Sequence, residues 1–515
     1  MDNTEPSNKE DNFITKSSEK IRNVKKNIQM YFIRKMIYNA FGKETFLSSI
    51  EKQLHKAIVE DNDSMPKAIL EKKYNFVMAI FAAAQRNIIK GWISKSVAKK
   101  LTDSLINEDA ARVIQNILSG NPISQDQQAS LENGELSKIR NEFKKKYNIP
   151  PPFFIVFAPT QVCNLQCCGC YASSKINAPS LSFETVDKIC DEVYNEWGNR
   201  FMTITGGEPL MYKDNGKTLF DIWKKYPRMF FMFYTNGTLI NEENAMKLAE
   251  VGNVSPAISV EGWEKETDER RGKGVFKRII EATDNLKKAG VPFGVSITAT
   301  SKNIDILLDD KFYDYMFQEV GAVYMWMFQL MPIGKAVDTT LMITPEQRVK
   351  LFRKWEELLT KKRYCIADFW NSGVLADGCI AYGREGGYLY VDWNGNITPC
   401  VFVPYYVDNV LDLYKQGKKL ADALNSDFFK NGRKWQEEYG LSHRHDPDNW
   451  LMPCSIRDHY KNFKHNILTK EVKPEDAPAA EALKSKAYEK TLEEFDKELE
   501  EKTSPIWKKE YLNQP

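Results

Sequence analysis

The chain has 515 residues, 42% of them hydrophobic, and its 72 basic residues nearly balance its 70 acidic residues. A chain of this length can bury a full hydrophobic core, and about two to four domains are expected. The charge balance gives no general attraction to nucleic acid, and no zinc-finger or RNA-binding signature is present. Composition therefore argues against a nucleic-acid function.

The amino-terminal residues show no targeting or membrane-spanning pattern. Residues 1–16 are polar without an apolar stretch, and the longest apolar run, 76–84, is about half of a membrane span. These features predict a cytoplasmic protein that does not span a membrane. Without a signal peptide, the clustered spacing of the nine cysteines indicates metal ligands and not disulfides.

The first part of the chain is predicted to be helical. Residues 1–20 have almost no apolar side chains and are expected to be disordered. Across 21–147, apolar and basic residues recur at helical spacing, which predicts a separate helical domain. Around Lys25, Lys26, Arg34 and Lys35, basic and apolar residues alternate. Two interpretations stay open for this segment, a solvated helix face and an amphipathic helix at a membrane surface.

Three prolines at 150–152 end the helical segment and begin an α/β domain over 148–343. Short apolar runs alternate with helical stretches, which predicts buried parallel strands joined by helices. The arrangement favours a partial (β/α)6 TIM-like barrel, whose active site lies at the carboxyl ends of the strands. The predicted strands are 153–157, 201–205, 229–234, 254–260, 293–299 and 323–330.

Two further segments follow the predicted barrel. Thr344, Pro345 and Gln347 form a capping box that opens a helix. The segment 344–470 continues as a turn-rich region that contains several cysteines, and 471–515 is predicted to be a charged helical tail with little core-forming surface.

Directly after the first predicted strand the sequence is CNLQCCGCYA. Its spacing places Cys163, Cys167 and Cys170 on one loop, where three thiolates can hold a four-iron cluster and leave one iron without a protein ligand. The alternatives are a structural zinc ion or buried thiols. Cys168 is interpreted as a bystander within the motif, and Cys190 as a core residue of its helix.

Further motifs follow the next strands in order: Gly206-Gly207-Glu208-Pro209, then Thr235-Asn236-Gly237, then Ser259-Val260-Glu261-Gly262 with Arg270-Arg271. Together with the cysteine loop, these motifs resemble those of the radical S-adenosylmethionine (SAM) superfamily over about 151–335. One departure is Gly169, because an aromatic residue often precedes the third cysteine in that family.

The resemblance implies that SAM binds the open iron and that its reductive cleavage gives a 5′-deoxyadenosyl radical, which takes hydrogen from a carbon of the substrate. It also implies a reductant such as flavodoxin or ferredoxin. The residues implied to contact SAM are Gly206, Gly207, Glu208, Pro209, Asn236, Ser259, Glu261, Arg271 and Thr298, with Asn303 as an alternative to Thr298.

A second cysteine set lies in the turn-rich region. Cys379 is followed by fifteen residues, Gly395, four residues and Cys400, and this spacing resembles the start of a SPASM or twitch auxiliary-cluster domain. The resemblance implies one auxiliary four-iron cluster with Cys454 as a third ligand. Cys365, a histidine or the substrate is the candidate fourth ligand, and a structural zinc site or core cysteines are the alternatives.

The motifs indicate the reaction type but not the substrate. The basic and apolar amino-terminal segment favours a lipid or other membrane-derived substrate, with peripheral contact to a membrane. Two alternatives stay open, a peptide- or protein-modifying maturase and a non-catalytic iron–sulfur electron carrier.

Overall fold

A computed structural model describes Lys43 and residues 45–105, 134–334 and 338–514. The segment 1–20, predicted to be disordered, and the basic segment around Lys25 to Lys35 lie outside the described residues. The strands are β1 Phe154–Phe157, β2 Phe201–Ile204, β3 Lys213–Asp214, β4 Lys217–Thr218, β5 Phe230–Thr235, β6 Val254–Val260, β7 Gly294–Ala299, β8 Tyr324–Gln329, β9 Ile366–Asp368, β10 Tyr388–Val391, β11 Ile397–Thr398, β12 Tyr405–Tyr406 and β13 Lys473–Pro474.

Helices precede, connect and follow the strands. They are α1 Phe46–His55, α2 Lys67–Ile89, α3 Lys95–Leu105, α4 Glu135–Tyr147, α5 Phe183–Asp191, α6 Leu219–Lys225, α7 Glu242–Val251, α8 Glu264–Arg271, α9 Val275–Ala289, α10 Ile304–Leu307, α11 Asp310–Asp314, α12 Pro345–Thr360, α13 Val410–Lys415, α14 Asp427–Glu438, α15 Tyr460–Asn462, α16 Ala477–Lys484 and α17 Lys486–Ile506.

Within the described residues, nine strands form one curled sheet in the order β11-β10-β1-β2-β5-β6-β7-β8-β9. All neighbouring pairs are parallel except β10 and β11. The six predicted barrel strands are confirmed as β1, β2, β5, β6, β7 and β8. The α/β partial barrel is therefore present, with helices on its outer face.

The sheet extends further than the sequence indicated. Strand β9 continues it beyond β8, and β10 pairs with β1 on the other side, although both come from the region predicted to be turn-rich. Every residue of β10 is buried, from Tyr388 to Val391. The auxiliary cysteine region thus shares a sheet with the barrel, because the fully apolar β10 gains burial only beside β1.

The described part of the amino-terminal segment packs directly on the barrel. Helix α2 is joined to α12 by an ion pair between Lys72 and Glu356. It is joined to the auxiliary region by Lys73 and Asp377, whose Nζ and Oδ1 atoms are 2.5 Å apart. The buried side chains of these helices belong to the same hydrophobic cluster as those of the barrel.

The carboxyl-terminal tail buries more surface than its charge indicated. Helix α17 packs against α12. Leu492 and Leu499 are fully buried there, and Trp507 and Tyr511 extend the same face. The expectation of little core-forming surface was wrong, because apolar residues at helical spacing lie within the charged sequence. In the described part of the chain, no helix combines the length and apolar character needed to cross a membrane.

Candidate active site

A cavity of about 430 Å³ follows the inner face of the barrel sheet. It reaches the loops that leave the carboxyl ends of the strands, where active sites of such barrels lie. Most of the predicted site residues line this one cavity: Cys163, Cys167, Cys170, Gly206, Gly207, Asn236, Ser259, Arg271 and Thr298.

The cysteine loop follows β1 and offers its sulfurs to hydrogen-bond donors. The backbone N–H of Leu165 donates to Cys163 Sγ at 3.4 Å, and Asn236 Nδ2 is 3.8 Å from the same sulfur. Hydrogen bonds to cysteine sulfur are typical of iron–sulfur sites, where they influence the reduction potential. The donor set around Cys163 therefore fits a cluster ligand.

The three thiols influence one another electrostatically. Burial raises the pKa of Cys163 to about 11, the Leu165 N–H acts in the opposite direction, and Glu208, Cys167 and Cys170 raise it further. Burial also raises the pKa of Cys167, while Arg271 lowers it. Such buried thiols become thiolates when a metal centre replaces their protons.

In the described parts of the chain, no three Cys, His, Asp or Glu side chains are close enough together to hold a single metal ion. A four-iron cube places each thiolate on a separate iron, so its ligands stand further apart than those of one ion. Three soft sulfurs on one cavity wall fit a cube better than a zinc cage, which needs four ligands around one centre. The alternative of a zinc ion at this loop is therefore not favoured.

Gly206 and Gly207 allow the second motif to pack against the chain that leads into the cysteine loop. A Cβ atom on Gly206 would lie 2.5 Å from the Thr160 carbonyl oxygen, and one on Gly207 would lie 2.2 Å from that of Val162. Gly206 also has a φ of +106°. These positions exclude larger residues because two backbones meet there.

The Glu208 carboxylate holds the third motif. It accepts hydrogen bonds from Thr235 Oγ1 and from the Asn236 N–H, both at 2.8 Å. Its side chain is fully buried, and this burial raises the pKa of Glu208 to about 7 against the effect of the two hydrogen bonds. Asn236 Nδ2 in turn donates to Asn164 Oδ1 at 2.8 Å. The carboxylate thus links the second and third motifs to the cysteine loop.

Glu261 pairs with both arginines of the fourth motif. Arg270 Nη1 is 2.6 Å from Glu261 Oε2, and Arg271 donates to Oε1 from Nε at 2.9 Å. Arg270 Nε also donates to the Cys168 carbonyl oxygen at 3.2 Å. One buried carboxylate therefore fixes both guanidinium groups beside the cysteine loop.

Some predicted contacts lie behind the cavity wall. Glu208, Pro209 and Glu261 do not line the cavity. Asn303 bonds to the carbonyl oxygens of Glu261 and Thr298, both at 2.9 Å. These residues therefore support the residues that line the cavity, because their own polar groups are already hydrogen-bonded within the protein.

Cys379, Cys400 and Cys454 line a second cavity of about 240 Å³. Burial raises the pKa of Cys400 to about 12, and the pKa of Cys454 is raised well above its ordinary value by burial, Asp458 and the other two cysteines. The three thiols are therefore neighbours. Both cavities are lined by the following residues: Trp326, Phe369, Ala376, Ile380, Tyr388 and Phe402.

The structure does not bring the predicted fourth protein ligands to this second cavity. Cys365 is buried elsewhere, where burial raises its pKa to about 12 and the Arg86 guanidinium acts in the opposite direction. His459 is bonded to the Met452 carbonyl oxygen at 2.8 Å. Among the described residues that line the cavity there is no fourth cysteine and no histidine. Cys365 and His459 are thus poor candidates for the fourth position.

Three further residues of the site were missed from the sequence. The Tyr171 hydroxyl is hydrogen-bonded to Thr205 Oγ1 at 2.8 Å and accepts the Gly206 N–H at 3.1 Å, which joins the cysteine loop to the second motif. The Tyr388 hydroxyl lies 2.8 Å from Cys400 Sγ. Gln329 lines the first cavity at the end of β8. The position of Tyr171 directly after Cys170 was an available signal, whereas the other two depend on tertiary contacts.

A sequence model of the family described as the Radical SAM superfamily matches residues 157–304, which include the cysteine loop and the three motifs that follow it. This chain belongs to the radical SAM superfamily. It is therefore a radical SAM enzyme that uses a four-iron cluster and SAM, and the hypothesis of a non-catalytic electron carrier is set aside.

Several curated proteins are similar to this radical SAM enzyme. It is 25% identical to the AdoMet-dependent heme synthase of Methanosarcina barkeri over 289 residues, which cover 50% of this chain and 79% of the relative. It is 28% identical to the mycofactocin maturase MftC of Mycobacterium tuberculosis, over 56% of this chain and 72% of the relative. A protein of Methanocaldococcus jannaschii, MJ0907, is 30% identical over 46% of this chain and 83% of its own length.

Among solved structures, Streptococcus suis SuiB bound to the precursor peptide SuiA is 17% identical with a TM-score of 0.47. The match covers 66% of this chain and 84% of SuiB.

Proposed function

We propose that Cys163, Cys167 and Cys170 hold the SAM-binding four-iron cluster. SAM would bind in the same cavity, in contact with these lining residues: Gly206, Gly207, Asn236, Ser259, Arg271 and Thr298. The observation that carries this proposal is that the three cysteines and these six residues converge on one cavity, although they come from six separate segments of the chain. When bound, the cluster and SAM supply a 5′-deoxyadenosyl radical that takes hydrogen from a substrate carbon.

The protein's own residues orient these groups and exclude water. Glu261 holds Arg271 on the cavity wall, where its guanidinium group can bind a carboxylate such as that of SAM. Glu208 keeps Asn236 against the cysteine loop. Because both carboxylates are buried, neither is expected to move when SAM binds. A reductant such as flavodoxin or ferredoxin would supply the electron.

Cys379, Cys400 and Cys454 are proposed to hold one auxiliary four-iron cluster of the SPASM or twitch type. Support comes from their shared cavity and from the electrostatic influence of Cys379 and Cys400 on Cys454. With Cys365 and His459 elsewhere, the substrate is the favoured fourth ligand. The shared aromatic wall would then place the auxiliary cluster beside the substrate.

The proposed substrate is a lipid or another membrane-derived molecule. In support, the charged residues that line the described cavity are Arg270 and Arg271, and Glu261 already pairs with both. Aromatic and aliphatic side chains form most of the remaining wall. A buried apolar wall favours hydrocarbon over charged groups, whose desolvation it does not compensate. Peripheral contact with a membrane would deliver such a substrate.

Peptide or protein modification is the second candidate, and the similarity to the mycofactocin maturase MftC favours it. The two candidates are separable with reconstituted enzyme, SAM and dithionite. A lipid extract should increase 5′-deoxyadenosine formation and yield a lipid of changed mass, and the enzyme should associate with liposomes. Product from candidate precursor peptides, without lipid product or liposome binding, would contradict the lipid proposal.

A further inference from the structure

The first cavity extends to the end of the barrel opposite the cysteine loop. Strand β1 begins at Phe154 and leads into that loop after Phe157, so the first residues of β1 and β2 mark the far end. Phe153 and Phe201 line the cavity there. Parallel strands rise about 3.3 Å per residue, so Phe201 and Thr205 are about 13 Å apart along β2. The cavity therefore extends well beyond the end at which the cysteine loop lies.

Among the residues that the structure describes, the rim at the far end of the cavity is exposed. Phe153 lines the cavity with its side chain 54% exposed, and the exposed Gly386 lies on the same rim. Phe153 is not isolated, because its ring contacts those of Phe154 and Phe201, with centroids 6.2 and 6.5 Å apart, so the apolar wall continues to this rim. This opening provides an entrance that is separate from the loops around the SAM site.

The cavity wall between the two ends provides few groups that could bind a charged ligand. Its side chains include the following residues: Phe154, Phe201, Met232, Trp326, Phe328 and Phe369. Trp326 Nε1 already donates to Met232 Sδ at 3.0 Å across the barrel. The hydroxyl groups of Ser259 and Ser296 bond to each other at 3.1 Å. The polar atoms of these four side chains satisfy one another, so the passage is largely apolar.

Two polar atoms on this wall lack a partner within the described structure, Thr203 Oγ1 on β2 and Gln329 Oε1 on β8. Gln329 is fully buried and lines the cavity at the carboxyl end of β8. Its Nε2 donates to both oxygens of Asp368, at 3.1 and 3.2 Å, which fixes the amide so that Oε1 faces away. Gln329 Oε1 has no hydrogen-bond partner. A buried acceptor without a partner is costly unless a ligand satisfies it.

We infer that this passage binds an uncharged, elongated hydrocarbon chain that enters past Phe153 and carries one hydroxyl or N–H donor for Gln329. The inference rests on the proposed function, because it names the substrate class of the same site. The apolar wall selects the chain. The unpaired Gln329 Oε1 can only accept, so it selects a donor on the ligand, whereas the unpaired Thr203 hydroxyl can donate or accept and does not discriminate in this way. The acceptor lies on the cysteine side of the passage, so the donor end of the chain would be held near the SAM site.

The inference is testable by displacement of the uncharged fluorophore 1-aminoanthracene from anaerobically reconstituted holoenzyme saturated with SAM, which occupies Arg271 and the open iron so that neither can bind the carboxylate of a competitor. Competitors are 1-dodecanol, dodecyl methyl ether, which lacks the donor, and dodecanoate, which is charged. The alcohol should bind about fivefold more tightly than the ether, as expected for one hydrogen bond, and dodecanoate should bind most weakly. Gln329→Met should abolish the difference between alcohol and ether.

Met232→Lys places a charge in the passage and should weaken fluorophore binding more than tenfold. Met246→Lys is the matched control, because Met246 is 62% exposed on α7 outside the barrel. If Met232→Lys does not fold, Phe153→Glu at the exposed rim should still weaken dodecanol binding several-fold. Equal binding of dodecanoate and dodecanol, or a retained alcohol preference in Gln329→Met, would overturn the inference.

Substrate-free formation of 5′-deoxyadenosine separates this inference from the proposed function. If the wild-type enzyme cleaves SAM but none of the competitors displaces the fluorophore, the inference alone fails. If the wild-type enzyme does not cleave SAM, the proposed function fails, and the inference fails with it.

Discussion

The hydroxyl oxygen of Tyr388 lies 2.8 Å from the sulfur of Cys400. The Tyr388 ring stacks on Phe154 with a centroid distance of 5.1 Å, and it lines both cavities. The pairing of β10 with β1 produces this position, since Tyr388 and Phe154 are register partners. When Cys400 is a thiolate ligand, the phenol is the donor of this hydrogen bond, and its ring is part of the partition between the two sites.

Tyr388→Phe should lower the midpoint potential of the auxiliary cluster by about 20–60 mV, the equivalent of one net hydrogen bond for a one-electron couple. Hydrogen bonds to sulfur stabilise the more negative, reduced cluster, so their loss favours the oxidised form. Redox titration followed by electron paramagnetic resonance measures the shift. Tyr313→Phe is the matched control, because this equally buried hydroxyl donates to the Leu307 carbonyl oxygen outside both cavities. An unchanged potential in Tyr388→Phe would rule out the hydrogen bond.

Cys400→Ser should reduce the iron content from about eight to about four atoms per chain, because it removes a ligand of one of two four-iron clusters. Cys365→Ser is the control, since Cys365 is also buried but does not line the second cavity. It should retain about eight irons. Chemical iron analysis after anaerobic reconstitution gives the answer, and equal loss in both variants would count against the assigned ligand set.

Glu261→Gln should weaken SAM binding by at least tenfold and lower the melting temperature. Removal of one partner from a buried ion pair leaves uncompensated charge and costs about 3–5 kcal/mol. Here two arginines lose their carboxylate, so the position of Arg271 on the cavity wall is no longer fixed. Isothermal titration with SAM and thermal unfolding measure both effects. Glu269→Gln is the control, because Glu269 is exposed on α8, the helix that carries both arginines; it should change neither SAM binding nor the melting temperature. Wild-type affinity in Glu261→Gln would refute the positioning role.

Asp496 should make the stability depend on pH. Burial raises its pKa to about 8, and the Tyr460 N–H donates to it at 2.8 Å. Because the folded pKa exceeds the unfolded value of about 3.9, stability from this group is complete below pH 4 and is lost as pH rises to 8. The loss is at most about 1.4 kcal/mol per pH unit. In Asp496→Asn, unfolding free energy should fall less over this range than in wild type; parallel pH profiles would show that Asp496 does not titrate as described.

The sequence sufficed for features that depend on local pattern. Each barrel strand is a short apolar run between turn residues, and the cysteine loop follows the first of them, so both were predictable. The partners of the buried charged groups were not predictable from the sequence. Nothing local indicates that Glu261 binds Arg270 and Arg271, or that Gly206 and Gly207 are required by the carbonyl groups that precede Cys163.

The auxiliary region illustrates the same limit. Its turns concealed β10, because four buried residues carry too little periodicity to identify a strand. The contact between Tyr388 and Cys400 arises once β10 joins β1. The tail was misjudged for a related reason, since its apolar residues matter only when α12 provides a surface to pack against.

The most direct test of the central claim compares Cys163→Ala with Cys168→Ala. Cys163 lines the cavity and accepts hydrogen bonds at its sulfur, whereas Cys168 is exposed and does not line it. After anaerobic reconstitution, iron content and 5′-deoxyadenosine formation are measured with SAM and dithionite. The account predicts that Cys163→Ala loses about four irons and all SAM cleavage, while Cys168→Ala retains both. SAM cleavage by Cys163→Ala at the wild-type rate, or none by the wild-type enzyme with its clusters intact, would contradict it.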